Sequence, residues 1–219
     1  MQGTRARPAE RCAGGSRALL RRRLGALVAA LLLLVVRTAA AQAVAPPGRY
    51  DPALRFRTIS TARFDIHFHQ GEEALAARLA GFVEAEAGRV DARFGRPGGR
   101  VQVVLVDQTD VSNGWATVVP YNLIEIAAVP PASLSPIGNT TDWLRLVFTH
   151  EYTHVVHLER GRGWIGGLRR AFGRMPLLYP NVFLPEWQVE GIATYTESAA
   201  TAEGRIPAGD FRMLIAEGA

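Results

Sequence analysis

The sequence predicts an α+β fold, a mixed sheet carrying one helix and followed by two further helices, and three observations predict it. Short runs with alternating or continuous apolar patterning, as strands have, fall between residues 64 and 129. Apolar residues at three- and four-residue spacing mark three helices, one inside the strand region and two after it. With 219 residues and 48% hydrophobic content, the chain can bury a sizeable core, which excludes a disordered tail protein.

The first 43 residues stand apart. They hold eight of the 25 basic residues and a single acid, Glu10. The remaining 17 basic and 19 acidic residues leave the rest of the chain at −2, so the +5 total is no footprint for nucleic acid. Leu24–Val36 is an apolar run, and small residues follow it to Ala41-Gln42-Ala43, the charged, apolar and small-residue order of a secretory signal. The run is shorter than the roughly 20 residues that span a bilayer. Export to the periplasm or beyond is therefore expected, with membrane anchoring if the leader is retained. Cys12 is the sole cysteine and lies in that leader, so the exported part has neither disulfides nor thiolate metal ligands. Residues 44–53 read as a Pro/Gly linker, and residues 54–219 as one domain.

Within that domain Phe64–Phe68 alternates as a half-buried strand, and Gly71–Phe94 places Leu75, Leu79, Phe82, Val83 and Val90 at helical spacing. Arg96-Pro97-Gly98-Gly99 breaks that helix, Val101–Val106 is a second strand, and Trp115–Val119 and Leu123–Val129 flank a Pro120-Tyr121-Asn122 turn. Asn139-Thr140-Thr141-Asp142 offers N-cap chemistry to a helix over Trp143–Arg160, which Gly161 stops. Pro185 opens a last helix reaching about Ser198.

The helix over Trp143–Arg160 carries His150-Glu151-Tyr152-Thr153-His154, an H-E-x-x-H motif. At about 100° per residue the second histidine lies roughly 40° around from the first and one turn along, so both imidazoles can reach one zinc ion beside the glutamate. Glu151 falls within the apolar stripe, where an ionised carboxylate costs several kcal/mol unless a partner or a metal site compensates it. His157 shares the face but lies about 10.5 Å along the axis from His150, too far for one ion, and reads as structural. A third ligand must come from elsewhere. The last helix supplies Glu186, Glu190 and Glu197, either as a solvated acidic stripe or as ligands. Glu190, followed by the small Gly191, is the first choice and Glu186 its rival.

The H-E-x-x-H with Trp187-Gln188-Val189-Glu190-Gly191-Ile192-Ala193, a W-x-x-E-G-x-A, resembles the gluzincin metallopeptidases, above all the peptidase-MA-like domains that precede TolB-like β-propellers in exported bacterial proteins. The resemblance implies a zincin-like fold, Zn2+ held by His150, His154 and Glu190, Glu151 as general base, a peptide or protein substrate, and a propeller beyond an incomplete C-terminus. It also implies that Gly114, Trp115 and Ala116 belong to an edge strand that pairs with substrate. Two departures stand out. The 35 residues between His154 and Glu190 are more than the best-known gluzincins have, so residues 162–183 must loop out and return. Thr194 stands where thermolysin-like enzymes keep an aspartate, and Glu197 is the residue left to orient a histidine. Tyr195 is a candidate for the oxyanion partner. Trp164, Ile165, Leu168 and Phe172, with Arg169 and Arg170, could touch a membrane, roof the cleft or simply pack. The alternatives to a peptidase are an inactive zincin-fold binding module and a membrane-anchored chaperone-like factor.

Overall fold

The computed structural model describes residues 50–110, 112–132, 140–161, 163–201, 204–207 and 216–217. The expected leader and most of the expected linker lie outside the described residues. Residues 48–219 form one unit, which contains every element below. In order these are β1 (Arg57–Ser60), β2 (Phe64–Phe68), α1 (Glu73–Phe94), β3 (Val101–Val106), β4 (Gly114–Thr117), β5 (Leu123–Ala127), α2 (Trp143–Glu159), α3 (Trp164–Phe172) and α4 (Glu186–Thr201), with short 3-10 turns at Pro176–Leu178 and Pro180–Phe183.

The fold is α+β with a mixed five-stranded sheet of order β1-β2-β3-β5-β4. Its centre is parallel, β2 with β3 and β3 with β5, and each edge is antiparallel, β1 on β2 and β4 on β5. Register follows from the two-residue period of the pleat: Ile66 pairs with Val103 and Val103 with Ile124, so the apolar set of three strands shares one face. Phe64, Ile66, Val103, Leu105, Ile124 and Ile126 are buried there beneath Leu79, Val83 and Val90 of α1 and Leu144, Phe148 and Val155 of α2. Each such side chain contributes roughly 1.5–3 kcal/mol on leaving water. Phe64, Phe148 and Tyr152 meet at centroid distances of 5.5–5.7 Å, and the Tyr152 hydroxyl donates to Asp91 of α1 at 2.8 Å.

The opposite face carries polar side chains in a connected row. Thr58 Oγ1 lies 2.9 Å from His67 Nδ1, and His67 Nε2 lies 2.7 Å from Gln102 Oε1. Gln102 Nε2 donates to Asp65 at 3.1 Å, Ser60 donates to Asp65 at 2.7 Å, and Arg100 donates to both carboxylate oxygens at 2.8 and 2.7 Å. The Arg100 bonds, then that of Ser60, hold the Asp65 carboxyl well below the usual carboxylate range despite partial burial.

The helix α2 is the central helix, with thirteen of its 17 residues buried. It begins as expected, with the Asp142 side chain accepting from Arg145 N at 3.1 Å. Its polar side is buried too: Thr149 and Thr153 are sealed in because each hydroxyl donates to the carbonyl four residues back, at 2.8 and 2.7 Å. Glu86 of α1, fully buried, is matched by Arg145 Nη1 and Arg89 Nη1, each at 2.9 Å.

Three elements differ from expectation. The segment from Tyr50 to Ala53 is not a loose linker, since the Tyr50 hydroxyl bonds Glu125 on the sheet. A strand over Arg57–Ser60 was not expected, because it is an edge strand with only Ile59 half-buried and lacks apolar alternation. Residues 163–183, the described part of the expected 162–183 excursion, do loop out and return, but through α3 and the two 3-10 turns. Arg169 anchors this excursion, donating to Leu178 O at 2.8 Å and Glu159 O at 2.6 Å with its guanidinium 3.9 Å from the ring centre of buried Tyr179. Trp164 and Phe172 face solvent, and none of the α3 side chains lines the cleft described next.

Candidate metal centre

The helices α2 and α4 pack against one another, and the centre lies where they meet. His150, Glu151 and His154 are nearly buried on α2, because helical spacing puts them on the side facing α4 and β4. Pro185 starts α4, its carbonyl accepting from Gln188 N at 3.0 Å, which sets Glu190 one turn in.

Three donor sets converge. His150 Nε2 and His154 Nε2 are 3.1 Å apart, Glu190 Oε2 lies 3.3 Å from the first, and Glu190 Oε1 lies 3.4 Å from the second. Ligand atoms about 2.0–2.1 Å from one tetrahedral ion would be roughly 3.3–3.4 Å apart, so these separations are close to the edges of such a polyhedron. The donor set of two imidazoles and a carboxylate fits a divalent cation. Glu186 takes no part in this group, and neither does His157. His157 is buried, and burial, with neighbouring His154 and Arg160, lowers its pKa.

Of the possible solvated acidic stripe, Glu186 and Glu190 remain exposed but Glu197 departs from it. Glu197 has no solvent exposure, and its Oε2 lies 2.6 Å from His150 Nδ1. A carboxylate accepts only, so Nδ1 carries a proton, and Nε2 faces Glu190 and His154, donating to Glu190 in the charged ring and presenting its lone pair in the neutral one. Burial opposes the His150 imidazolium, but the Glu190 and Glu197 bonds outweigh it and raise the pKa to about 9. Bonds from His150 and His154 hold the Glu190 carboxyl far below its ordinary range. A proton and a metal ion thus compete for the same three-cornered space.

Glu151 is different in kind. It is outside the ligand group, its Oε2 is buried without a hydrogen-bond partner, and burial pushes its pKa up against the opposing charges of His150 and His154. It lines a cleft of about 490 Å³ together with the three donors, Gly114, Trp115 and Ala116. The strand β4 is the last in the sheet, so one of its edges has no neighbouring strand among the described residues.

Tyr195 does not line this cleft but lies beside Trp187 and Phe94 on the outer side of α4. Arg205, which belongs to no motif in the sequence, does line it. The chain reverses after α4 at Gly204, whose φ is +103°, and brings Arg205 Nε to 3.7 Å from Glu197 Oε1 and Arg205 Nη1 to 3.2 Å from Thr194 Oγ1. Gly204 was the available signal, a turn residue after a helix with an arginine behind it. No described helix is long and apolar enough to cross a membrane. No known family model matches the chain, and a search of curated proteins finds no relative.

Proposed function

We propose that this chain is a zinc-dependent peptide hydrolase of zincin type, exported by way of residues 1–43. The observation that carries the reading is one cleft holding His150, His154 and Glu190 at tetrahedral spacing beside a buried, unpartnered Glu151 oxygen. Two imidazole nitrogens and one carboxylate suit zinc, with a tetrahedral corner to spare. Zinc bound there supplies Lewis acidity toward a carbonyl oxygen and a water.

The other parts of the work belong to the chain. Glu151, excluded from the ligands and raised in proton affinity by burial, takes a proton from the attacking water and delivers it to the departing amine. Glu197 keeps His150 in one tautomer and orientation. The strand β4 offers its outer edge to an extended peptide, which gives backbone affinity and leaves side-chain selection to the cleft walls. Arg205 gives the cleft a positive charge held in place by Glu197.

Metal analysis together with turnover of an unstructured protein substrate tests this. The wild type should carry stoichiometric zinc and cleave, and Glu151→Gln should keep the zinc while losing roughly 10²–10⁴-fold in rate. Stoichiometric zinc without cleavage, unchanged by Glu151→Gln, would instead identify a binding module.

A further inference from the structure

A second group of metal-ligating side chains lies away from the α2–α4 cleft and shares no residue with it: His69, Glu72 and Asp107, whose ligand atoms lie within 4.8 Å of one another. His69 follows β2, Asp107 follows β3, and Glu72 is the N-cap of α1. The group therefore stands at the carboxyl ends of two adjacent parallel strands, beside the start of the crossover helix that joins them.

The ring of His69 is nearly buried, 2% exposed. Its Nδ1 is 2.9 Å from the carbonyl oxygen of Gln70. A carbonyl only accepts, so Nδ1 carries the proton, and in the neutral ring Nε2 presents a bare lone pair. Asp107 Oδ1 lies 2.9 Å from Nε2, yet no hydrogen bond joins the two. Nε2 and Oδ1 thus lie side by side with no hydrogen bond between them, an arrangement that suits neighbouring ligands of one cation. Neither Glu72 nor Asp107 has an arginine partner among the described residues, so the His69 imidazole is the one group facing the two carboxylates that could balance them there.

We propose that His69, Glu72 and Asp107 form a second site for a divalent metal ion of the zinc class, with solvent completing the coordination. The imidazole favours a transition metal over calcium or magnesium, and the half-exposed Asp107 makes the site weaker than a fully enclosed one. The proposal is independent of the function proposed above.

Zinc titration of the metal-free full chain tests it, using Asp107→Asn and Glu72→Gln, both of which spare the buried ring, and His154→Ala in the α2–α4 cleft. Two equivalents are expected in the wild type, the second at least about tenfold weaker. Each carboxylate variant should lose the weaker one alone and His154→Ala the tighter one alone. One equivalent lost in Asp107→Asn but kept in His154→Ala would support this site and overturn the centre on α2. Unchanged zinc binding in both carboxylate variants overturns the proposal.

Discussion

A β-carbon on Gly114 would lie 2.7 Å from Glu151 Oε1, 2.8 Å from its Cγ and 2.9 Å from its Cδ, closer than real β-carbons approach anything. Because no positive φ holds this residue, alanine strains no backbone here, and the whole cost falls on the carboxylate. Glu151 is nearly buried and has little room to yield. Displacing the proposed general base by the better part of an ångström would cost on the order of 10²-fold in rate, whereas the three atoms nearest that β-carbon all belong to Glu151 and none to His150, His154 or Glu190. Gly114→Ala should therefore reduce kcat by about 10- to 100-fold with zinc content unchanged, and should add almost nothing in a Glu151→Gln background. Rate constants for the two single variants and the double variant check this, and independent, multiplying losses would show that Gly114 acts elsewhere.

At the scale of elements, legibility followed patterning. The helix α2 was readable because its H-E-x-x-H has helical spacing and its start has a capping aspartate. Glu190 was the first choice over Glu186 because of the small Gly191 beside it, but that reason fails: a β-carbon on Gly191 would meet nothing within 4 Å, and it is the register of α4 that brings Glu190 to the two imidazoles. That Thr149 and Thr153 lie inside was not readable, since a helical wheel counts hydroxyls as polar and does not see them satisfied by their own backbone. The strand β1 was hidden for a related reason: an edge strand exposed on both faces needs no apolar period, and what holds it is polar, including Ser60 on Asp65. That bond belongs to the row centred on Asp65, which predicts a pH dependence. Arg100 depresses the folded-state pKa of Asp65 below its ordinary value of 3.8, so its contribution is present above about pH 4 and is lost as pH falls through the folded pKa. The carboxylate is partly exposed, and the loss at neutral pH in Asp65→Asn should be about 1 kcal/mol. Denaturant unfolding of both proteins from pH 7 down to pH 2 should show the gap narrowing on acidification, and a gap independent of pH would rule this account out.

Across the whole molecule, the sheet, α1 and α2 share a large apolar core, while α4 buries only Ala193, Thr196 and Glu197. One methyl-sized side chain, one threonine and one carboxylate give little hydrophobic stabilisation, so α4 depends unusually on Glu197 holding His150 and on whatever bridges Glu190 to the two imidazoles. A bound ion adds RT ln(1 + [L]/Kd), about 4 kcal/mol when free metal exceeds Kd a thousandfold, and nearly all of that falls on the α2–α4 contact. Removing metal with a chelator should consequently act locally before it acts globally. Hydrogen exchange is the measurement: amides of residues 186–201 should lose protection in the chelated protein, while those of β2, β3 and β5 stay as slow as before. Restoring zinc should restore them, and His154→Ala should resemble the chelated wild type with or without zinc. Equal loss throughout the sheet and helices would mean that the metal supports the core as a whole, and no loss anywhere would mean that α4 docks without it.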